Sequence, residues 1–319
     1  MRVLVAMSGG VDSSVAAALL LEQGHEVVGA TMKLWGGATD SGCCSVADVE
    51  DARRVAQQLG IVHHVFNFTD DFEASVVSPY VEAHAGGRTP NPCVACNRHI
   101  KFDRFLRRAR QLGFDAVATG HHARVVHDGT RYRLRRGADR AKDQSYVLYM
   151  LGQAELAACL FPVGERTKAE VRAVAAGLGL RTAAKPDSQE VCFVGSPSGR
   201  AGFLAERTGL HPARVLTTDG REVGRVPAVE LVTVGQRRGL GVALDGRRHY
   251  ALHVDVAGRT VVVGDADALR CPSLEVDDLR WVGEPVTGPV LVQVSAHGEV
   301  RPGVLDGTTV RWSRPERRV

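Results

Sequence analysis

The sequence predicts an α/β fold: a doubly wound parallel sheet at the N-terminal end, then a small mixed α+β domain, then a C-terminal β-barrel. Three observations carry this. Strand-length apolar runs alternate with helix-length runs through residues 1–120, the pattern of a parallel sheet with helices on both faces. A serine- and glycine-rich turn, residues 8–14, lies between the first strand and the first helix. Past residue 200 the alternation gives way to short β runs separated by Gly and Asp turns.

Val3 to Ala6 is a buried strand, and Val15 to Leu21, rich in Ala and Leu, is a helix closed by Gly24. Glu26 to Met32 is the second strand. Ser45 caps a helix that runs to Leu59 and stops at Gly60. Val62 to Phe68 is a third strand, Thr69 to His84 and Arg98 to Leu112 are helices, and Ala116 to Thr119 is a fourth strand. Arg124 to Arg136 is a hairpin turning at Asp128-Gly129, and its arginines read as a solvated edge before an RNA site. Thr167 caps a helix to Leu178, with Glu170 completing a capping box. Gly195 to Gly199 is a linker by composition. Phe203 to Thr208 is a short helix, and β runs at Val215, Val223, His249–Val256 and Thr260–Val263 fill the mixed domain. The last strands start near Leu274 and include Val290–Ser295 and Thr309–Trp312. The domains expected are 1–198, 199–267 and 268–319, as suits a chain too long for one ordinary core.

The turn Ser8-Gly9-Gly10-Val11-Asp12-Ser13-Ser14 is the first stretch with chemistry in it. Glycines let an anion approach the backbone, the helix start offers N–H groups and a positive dipole end, and the serines add hydroxyls. A carboxylate beside phosphates is repulsive unless a cation lies between, so Asp12 suggests a Mg²⁺ ligand. The common lysine-containing phosphate loop, G-x-x-x-x-G-K-[ST], is absent. Ligands of such sheets bind at the carboxyl ends of strands. The glycine turn, Met32 and Gly120-His121-His122 all fall at such ends.

Composition is that of a globular protein, with 44% hydrophobic and 24% charged residues and no apolar run near the ~20 residues of a membrane span. With a first strand at the start and no signal peptide in view, the expected location is cytoplasmic, away from membranes. Net charge is +4, and only five of the 40 basic residues are lysine. Arginine suits phosphate recognition but is weak evidence for nucleic acid by itself.

The seven cysteines are an odd number in a chain read as cytoplasmic, which argues against a disulfide framework. Cys159 fits a buried, inert role. Cys43 and Cys44 are adjacent and are assigned no role. Cys93 and Cys96 lie in the proline-stiffened stretch Thr89-Pro90-Asn91-Pro92-Cys93-Val94-Ala95-Cys96-Asn97. Cys96 is expected just ahead of a helix, where the dipole and the neighbours Arg98 and Lys101 favour thiolate. Cys192 follows Lys185-Pro186-Asp187-Ser188-Gln189-Glu190 on an expected half-buried strand. Three readings stand for these cysteines: a zinc site completed by a histidine, thiol chemistry between a nucleophile and a partner, or an iron–sulfur cluster on Cys93, Cys96 and Cys192.

Together the motifs resemble the tRNA-specific 2-thiouridylase family of ATP pyrophosphatases, whose catalytic domain has the adenine nucleotide alpha hydrolase-like fold. The resemblance rests on residues 6–14, the N-P-x-x-x-C-N stretch ending at Asn97, Ile100-Lys101-Phe102, Ala118 to Arg124, Lys142 to Tyr146, Lys185 to Glu190 and Gly235 to Gly241. It implies ATP on Ala6, Met7, Ser8, Gly9, Gly10, Val11, Asp12 and Ser13, with adenine near Met32 and Gly120. It implies tRNA contacts at Asn91, Pro92, Cys93, His121, Lys142, Asp143 and Gln144. Cys96 would be the nucleophile and Cys192 the persulfide carrier, loaded by a sulfur-carrier protein, in a monomeric sulfurtransferase that converts the wobble uridine to 2-thiouridine.

Two departures from the family stand out. Many members have an aspartate, a proposed acid/base, where this chain has Cys93. That change permits a Cys93–Cys96 disulfide or favours a cluster, and persulfide relay and cluster-bound sulfur remain rivals. Members also finish the barrel with a further strand pair after the point where this sequence stops, so an incomplete barrel is expected. A ligase or amidotransferase of the same superfamily, or a non-catalytic iron–sulfur RNA-binding protein, are the alternatives to a thiouridylase.

Overall fold

A computed structural model of the chain describes residues 1–36, 45–187, 191–194, 199–241, 248–296 and 298–318. Cys43, Cys44, Ser188, Gln189, Glu190 and linker residues 195–198 lie outside the described residues. The chain divides into two compact units, one formed by Met1–Val77, Pro92–Pro197 and Arg280–Glu284, the other by Ser78–Asn91, Ser198–Leu279 and Pro285–Val319.

The first unit is built on β1 (Arg2–Ala6), α1 (Val11–Glu22), β2 (Glu26–Lys33), α2 (Val46–Gln58), β3 (His63–Asn67) and β4 (Ala116–Ala118). A hairpin of β5 (Ala123–His127) and β6 (Tyr132–Arg136) and a short strand β7 (Cys159–Leu160) follow. The main sheet runs β3-β2-β1-β4-β7, and every pairing is parallel. Leu4 faces Val28 on one side and Val117 on the other, so β1 is central and buried. The chain winds outward from β1 to β3 and then returns to the far side of β1 as β4. That reversal makes the carboxyl ends of β1 and β4 the place where such a sheet opens a binding crevice.

Helix α1 is buried nearly all round, as its Ala- and Leu-rich sequence requires. It packs in one core with Val3 and Val5 of β1, Ala52, Val55 and Ala56 of α2, and Val171 and Ala175 of the helix Lys168–Gly177. Ser45 caps α2 by accepting from the Asp48 N–H at 3.1 Å, and Thr167 and Glu170 form the expected capping box. The strand at Cys159 was not foreseen, and the residue pairs with Val117 at the sheet edge. Its side chain is buried as expected, and burial pushes its thiol pKa far up.

The second unit holds two four-stranded sheets. One, β10-β11-β8-β9, is formed by Tyr250–Asp255, Thr260–Gly264, Ala213–Thr217 and Glu222–Val226, and mixes parallel and antiparallel pairs. The other, β12-β15-β14-β13, is antiparallel and formed by Arg270–Glu275, Thr309–Arg317, Arg301–Asp306 and Gly288–Val292. Its outer strands β12 and β13 have no strand partner beyond them among the described residues. The helix before the first of these sheets starts at Gly199 and ends at Ala205, earlier than the sequence suggested.

Candidate active site

The glycine turn leaves β1 and becomes α1 at Val11, so Asp12, Ser13 and Ser14 lie inside the first helical turn. Gly9 is in the left-handed region (φ +72°), and a Cβ there would stand 2.3 Å from the Asp48 carbonyl oxygen, so the position admits only glycine. Gly10, the residue ahead of the helix, makes no side-chain cap. The first N–H groups of α1 therefore remain donors for an anion. Ser8 is exposed at this opening. Ser13 and Ser14 are not: both donate to the Gly10 carbonyl, at 3.1 and 2.8 Å, and Ser14 also accepts from Thr182 at 3.2 Å. The hydroxyl of Ser14, expected to face phosphate, is a buried brace.

Gly120, at the end of β4, meets this turn directly. A Cβ there would lie 2.7 Å from the Asp12 carbonyl carbon and the Ser13 nitrogen. Gly120→Ala is thus expected to push the start of α1 aside, costing about 1–3 kcal/mol of stability and weakening binding of the nucleotide expected at this turn. Thermal unfolding and nucleotide titration check this, and an alanine variant as tight and as stable as the parent would contradict it. Met32 is buried at the end of β2, opposite Phe66 of β3. Ala6, Met7 and Val11 are buried beneath the turn.

Asp12 does not present a carboxylate waiting for a metal. Its two oxygens accept from the Lys168 ammonium at 2.8 and 2.7 Å, and one also faces His122 Nε2 at 3.1 Å. Burial pushes the Asp12 carboxyl up, but the hydrogen bonds from His122 and Lys168 outweigh it and hold the group below its usual range. A divalent cation on these oxygens would sit beside an ammonium, so Asp12 does not fit as a Mg²⁺ ligand in this arrangement. Lys168 also reaches Asp187 at 2.8 Å, and Asp187 in turn binds Lys142 at 2.8 Å and Arg172 at 3.0 Å. Burial raises the Asp187 carboxyl, and these cations overcome that and bring it to about 2. On the other flank Lys185 donates to the Gly9 carbonyl at 3.0 Å and to Asp48 and Asp51 at 2.6 and 2.7 Å, clamping the turn to α2.

His121 and His122 divide the work differently from the expectation. His121 is buried between the rings of Phe102 and Phe161, at 5.8 and 6.0 Å, with its Nδ1 2.6 Å from the Thr119 hydroxyl. Burial, with Lys101 and His122 nearby, drives its pKa well below 6.5, so it is neutral. The histidine that faces the turn is His122. The unfolded chain protonates His121 near pH 6.5 and the folded chain refuses that proton, so its stabilising effect is full above that pH and lost as pH falls below it. His121→Asn is expected to flatten the fall in melting temperature between about pH 7 and 5. An unchanged slope would contradict this.

The proposed tRNA residues connect to the same network. Gln144 Oε1 accepts from the His122 N–H at 2.9 Å, and Lys142 belongs to the Asp187 cluster. Asp143 is buried and turned inward, accepting from Gly137 N–H, Ser145 N–H and the Ser145 hydroxyl at 3.0, 3.1 and 3.0 Å. Its side chain holds its own loop.

The cysteine stretch corrects one expectation. The helix starts at Pro92, not near Arg98, because proline is suited to a first helical position. Pro92 is buried there, and Asn91 just before it is exposed. Cys93 is exposed in the first turn, and Cys96 is buried in the second, where Pro92–Ala95 passes into a π-helical run, Cys96–Arg104. Cys96 therefore lies inside the helical run and not just ahead of its start. Both are thiols, not a disulfide. Asn97 donates to the Val147 carbonyl at 2.8 Å, tying this helix to the loop that carries Lys142 and Gln144. Cys192 is half-buried in a turn closed by Val194 N–H to Val191 C=O at 2.9 Å, where a strand was expected. Next to it Phe193 packs on Trp35, after β2, and edge-on to Phe72, at ring separations of 6.2 and 5.6 Å. Among the described residues no three His, Cys, Asp or Glu side chains converge to hold a metal. Cys93, Cys96 and Cys192 therefore do not form the donor set a cluster or a zinc ion needs here.

Sequence reasoning missed His122 as a partner of Asp12, and missed Lys168 altogether. Lys185 and Asp187 lay in a quoted motif without an assigned task.

The family model described as the tRNA methyl transferase HUP domain matches residues 1–196, and the one described as the tRNA methyl transferase PRC-barrel domain matches residues 201–265. Proteins named tRNA-specific 2-thiouridylase MnmA from Roseiflexus sp. and Chloroflexus aurantiacus are each 48% identical to this chain, covering all of it and 93% and 92% of their own lengths. The protein of that name from Carboxydothermus hydrogenoformans is 46% identical over the whole chain and 92% of its own. With a parallel sheet open at its switch point, a phosphate-type turn there and cysteines on an adjoining helix, the chain belongs to the tRNA-specific 2-thiouridylase family.

Proposed function

We propose that this enzyme uses ATP to convert the wobble uridine of tRNA to 2-thiouridine. The observation that carries the reading is the continuous polar chain from the phosphate turn to the cysteine helix: Asp12 to His122, His122 to Gln144, and the Gln144 loop to Asn97 beside Cys96. It ties a nucleotide site to a thiol site in one unit. Uracil C2 is a poor electrophile and its oxygen a poor leaving group, so the chemistry needs both. The uracil oxygen forms a bond to the α phosphate as the bond to the β phosphate breaks and pyrophosphate leaves. Cys192 carries the persulfide, and the Cys96 thiol attacks its inner sulfur, so the S–S bond of the persulfide breaks as a Cys96–Cys192 disulfide forms. The outer sulfur, released as sulfide, bonds to C2 while the C2–oxygen bond breaks and AMP departs, an external thiol reducing the disulfide afterwards.

In this reading residues 6–13 hold the ATP phosphates, with Met32 and Gly120 at the adenine. Asn91, Pro92, Cys93, Lys142 and Gln144 face the tRNA, and His121 supports them from behind. Mg²⁺ enters only as a companion of the nucleotide phosphates, with water completing its shell. Sulfur rides on cysteines and not on a cluster. A protein persulfide donor loads Cys192, and the enzyme acts as a cytoplasmic monomer. No helix among the described residues is long and apolar enough to cross a membrane. Residues 1–198 form the catalytic domain, with 199–267 and 268–319, each holding one of the two smaller sheets, as the accessory domains.

A methyl transfer, which the family models' descriptions would suggest, has no use for a phosphate turn or for paired thiols. The test is anaerobic purification, iron analysis and nucleoside mass spectrometry after incubation with tRNA, ATP and a persulfide donor. Thiouridine formed without iron supports the reading. Iron-dependent formation would return sulfur to a cluster, and the absence of thiouridine with intact tRNA binding would overturn the assigned reaction.

A further inference from the structure

The phosphate turn has a charge problem. Residues 6–14 contain no basic side chain, and their one charged group is the Asp12 carboxylate. Breaking a bond between two phosphates builds negative charge on the departing group, and that charge needs a positioned cation. Among the described residues, two lysines touch the turn. Lys185 is spent on the Gly9 carbonyl, Asp48 and Asp51, and moving it would release the turn from α2. Lys168 is placed otherwise.

The stem of Lys168 is fixed and its head is shared. It begins the helix Lys168–Gly177 behind the Thr167 cap, and its backbone N–H donates to Asp139 at 3.0 Å. The ammonium is largely buried, with 12% of the side chain exposed, and contacts both Asp12 oxygens and Asp187. Each of those carboxylates has another positive or hydrogen-bonding partner. Asp12 keeps His122 at 3.1 Å, and Asp187 keeps Lys142 at 2.8 Å and Arg172 at 3.0 Å. The Lys168 head can swing away without leaving a buried carboxylate unpaired, the usual obstacle to moving a buried charge.

We propose that Lys168 is a catalytic residue: its ammonium turns from Asp12 and Asp187 onto the oxygens bridging and flanking the α and β phosphates, and holds the charge that gathers as pyrophosphate leaves. The inference rests on the adenylation reading above. Lys168 gains or loses no proton in the step. Asp12 is its holder, and Asp187 with Lys142 and Arg172 takes up the slack when it moves. A rival role is purely electrostatic: Lys168 only cancels the Asp12 charge so that phosphates can approach.

The two roles separate by experiment on the full chain. Pyrophosphate release with tRNA is measured in a single turnover, and binding of α,β-methylene-ATP and of adenosine is measured at equilibrium. Lys168→Gln is expected to slow release by about 10²-fold or more, to weaken the analogue by roughly tenfold, and to leave adenosine binding unchanged. Adding Asp12→Asn to it should not restore the analogue. Recovery of analogue binding in the double variant would reduce Lys168 to a neutraliser, and parental release in Lys168→Gln would remove it from the reaction. Should Lys168→Gln fail to fold, Lys168→Arg keeps the ion pairs and should still release pyrophosphate at least about tenfold more slowly. Parental release by that variant would equally overturn the proposal. A parent enzyme that binds tRNA but releases no pyrophosphate would instead sink the adenylation reading itself.

Discussion

Serine in place of Cys96 or Cys192 is expected to abolish 2-thiouridine formation, by about 10³-fold or more, while the first turnover of pyrophosphate release stays close to that of the parent. The split follows from the order of events. In the proposed reaction the uracil oxygen attacks ATP before sulfur is needed, and neither thiol belongs to the turn at residues 8–14. Cys96 is buried in the second turn of its helix and Cys192 is half-buried in a separate turn, so a hydroxyl fits at either place without rebuilding the core. Rapid-quench measurement of pyrophosphate, together with mass spectrometry of the nucleosides, reads both quantities from one sample. Full thiolation by both variants would favour a ligase of the same superfamily. Loss of pyrophosphate release along with thiolation would mean that the thiols act before the nucleotide does.

Asp12→Ala should show the opposite pattern. Pyrophosphate release is expected to fall by about 10²–10³-fold, with tRNA affinity unchanged. The alanine removes the acceptor that holds Lys168 at 2.7 Å and His122 at 3.1 Å, so both groups lose their aim toward the turn. Gln144 and Lys142 keep their own anchors, at the His122 N–H and at Asp187, so the residues proposed to meet tRNA are spared. Filter binding of tRNA alongside the release assay checks the pair of outcomes. Parental release in this variant would show that the carboxylate has no part in orienting the phosphates.

Local sequence carried the features that have local causes. The strand, glycine turn and buried helix of residues 2–22 are legible because apolar period, glycine and helix-forming residues agree there. The capping box at Thr167 and the hairpin turn at Asp128-Gly129 were legible for the same reason. The start of the cysteine helix was misplaced although Pro92 marked it, because two prolines in a row of polar residues read as a loop. The two-residue strand at Cys159 is too short to show any period.

The charged site was hardest to see. Lys168 and Asp12 are 156 residues apart in sequence, and Lys185 and Gly9 are 176 apart, so nothing near either partner announces the pair. Asp12 was read as a metal ligand on the sound premise that a carboxylate beside phosphate needs a cation. The cation in the structure is an ammonium. Ser14 and Asp143 show the converse: a polar residue inside a functional motif can be consumed by the fold, one bracing Gly10 and the other its own loop.

Oxygen labelling shows whether ATP activates the uracil oxygen before sulfur replaces it, as proposed. A tRNA carrying heavy oxygen at C2 of the wobble uridine is turned over once with ATP and persulfide, and the AMP is analysed by mass spectrometry. Each AMP released is expected to carry the heavy oxygen in its phosphate, in step with 2-thiouridine formed. Thiouridine accompanied by unlabelled AMP would contradict it.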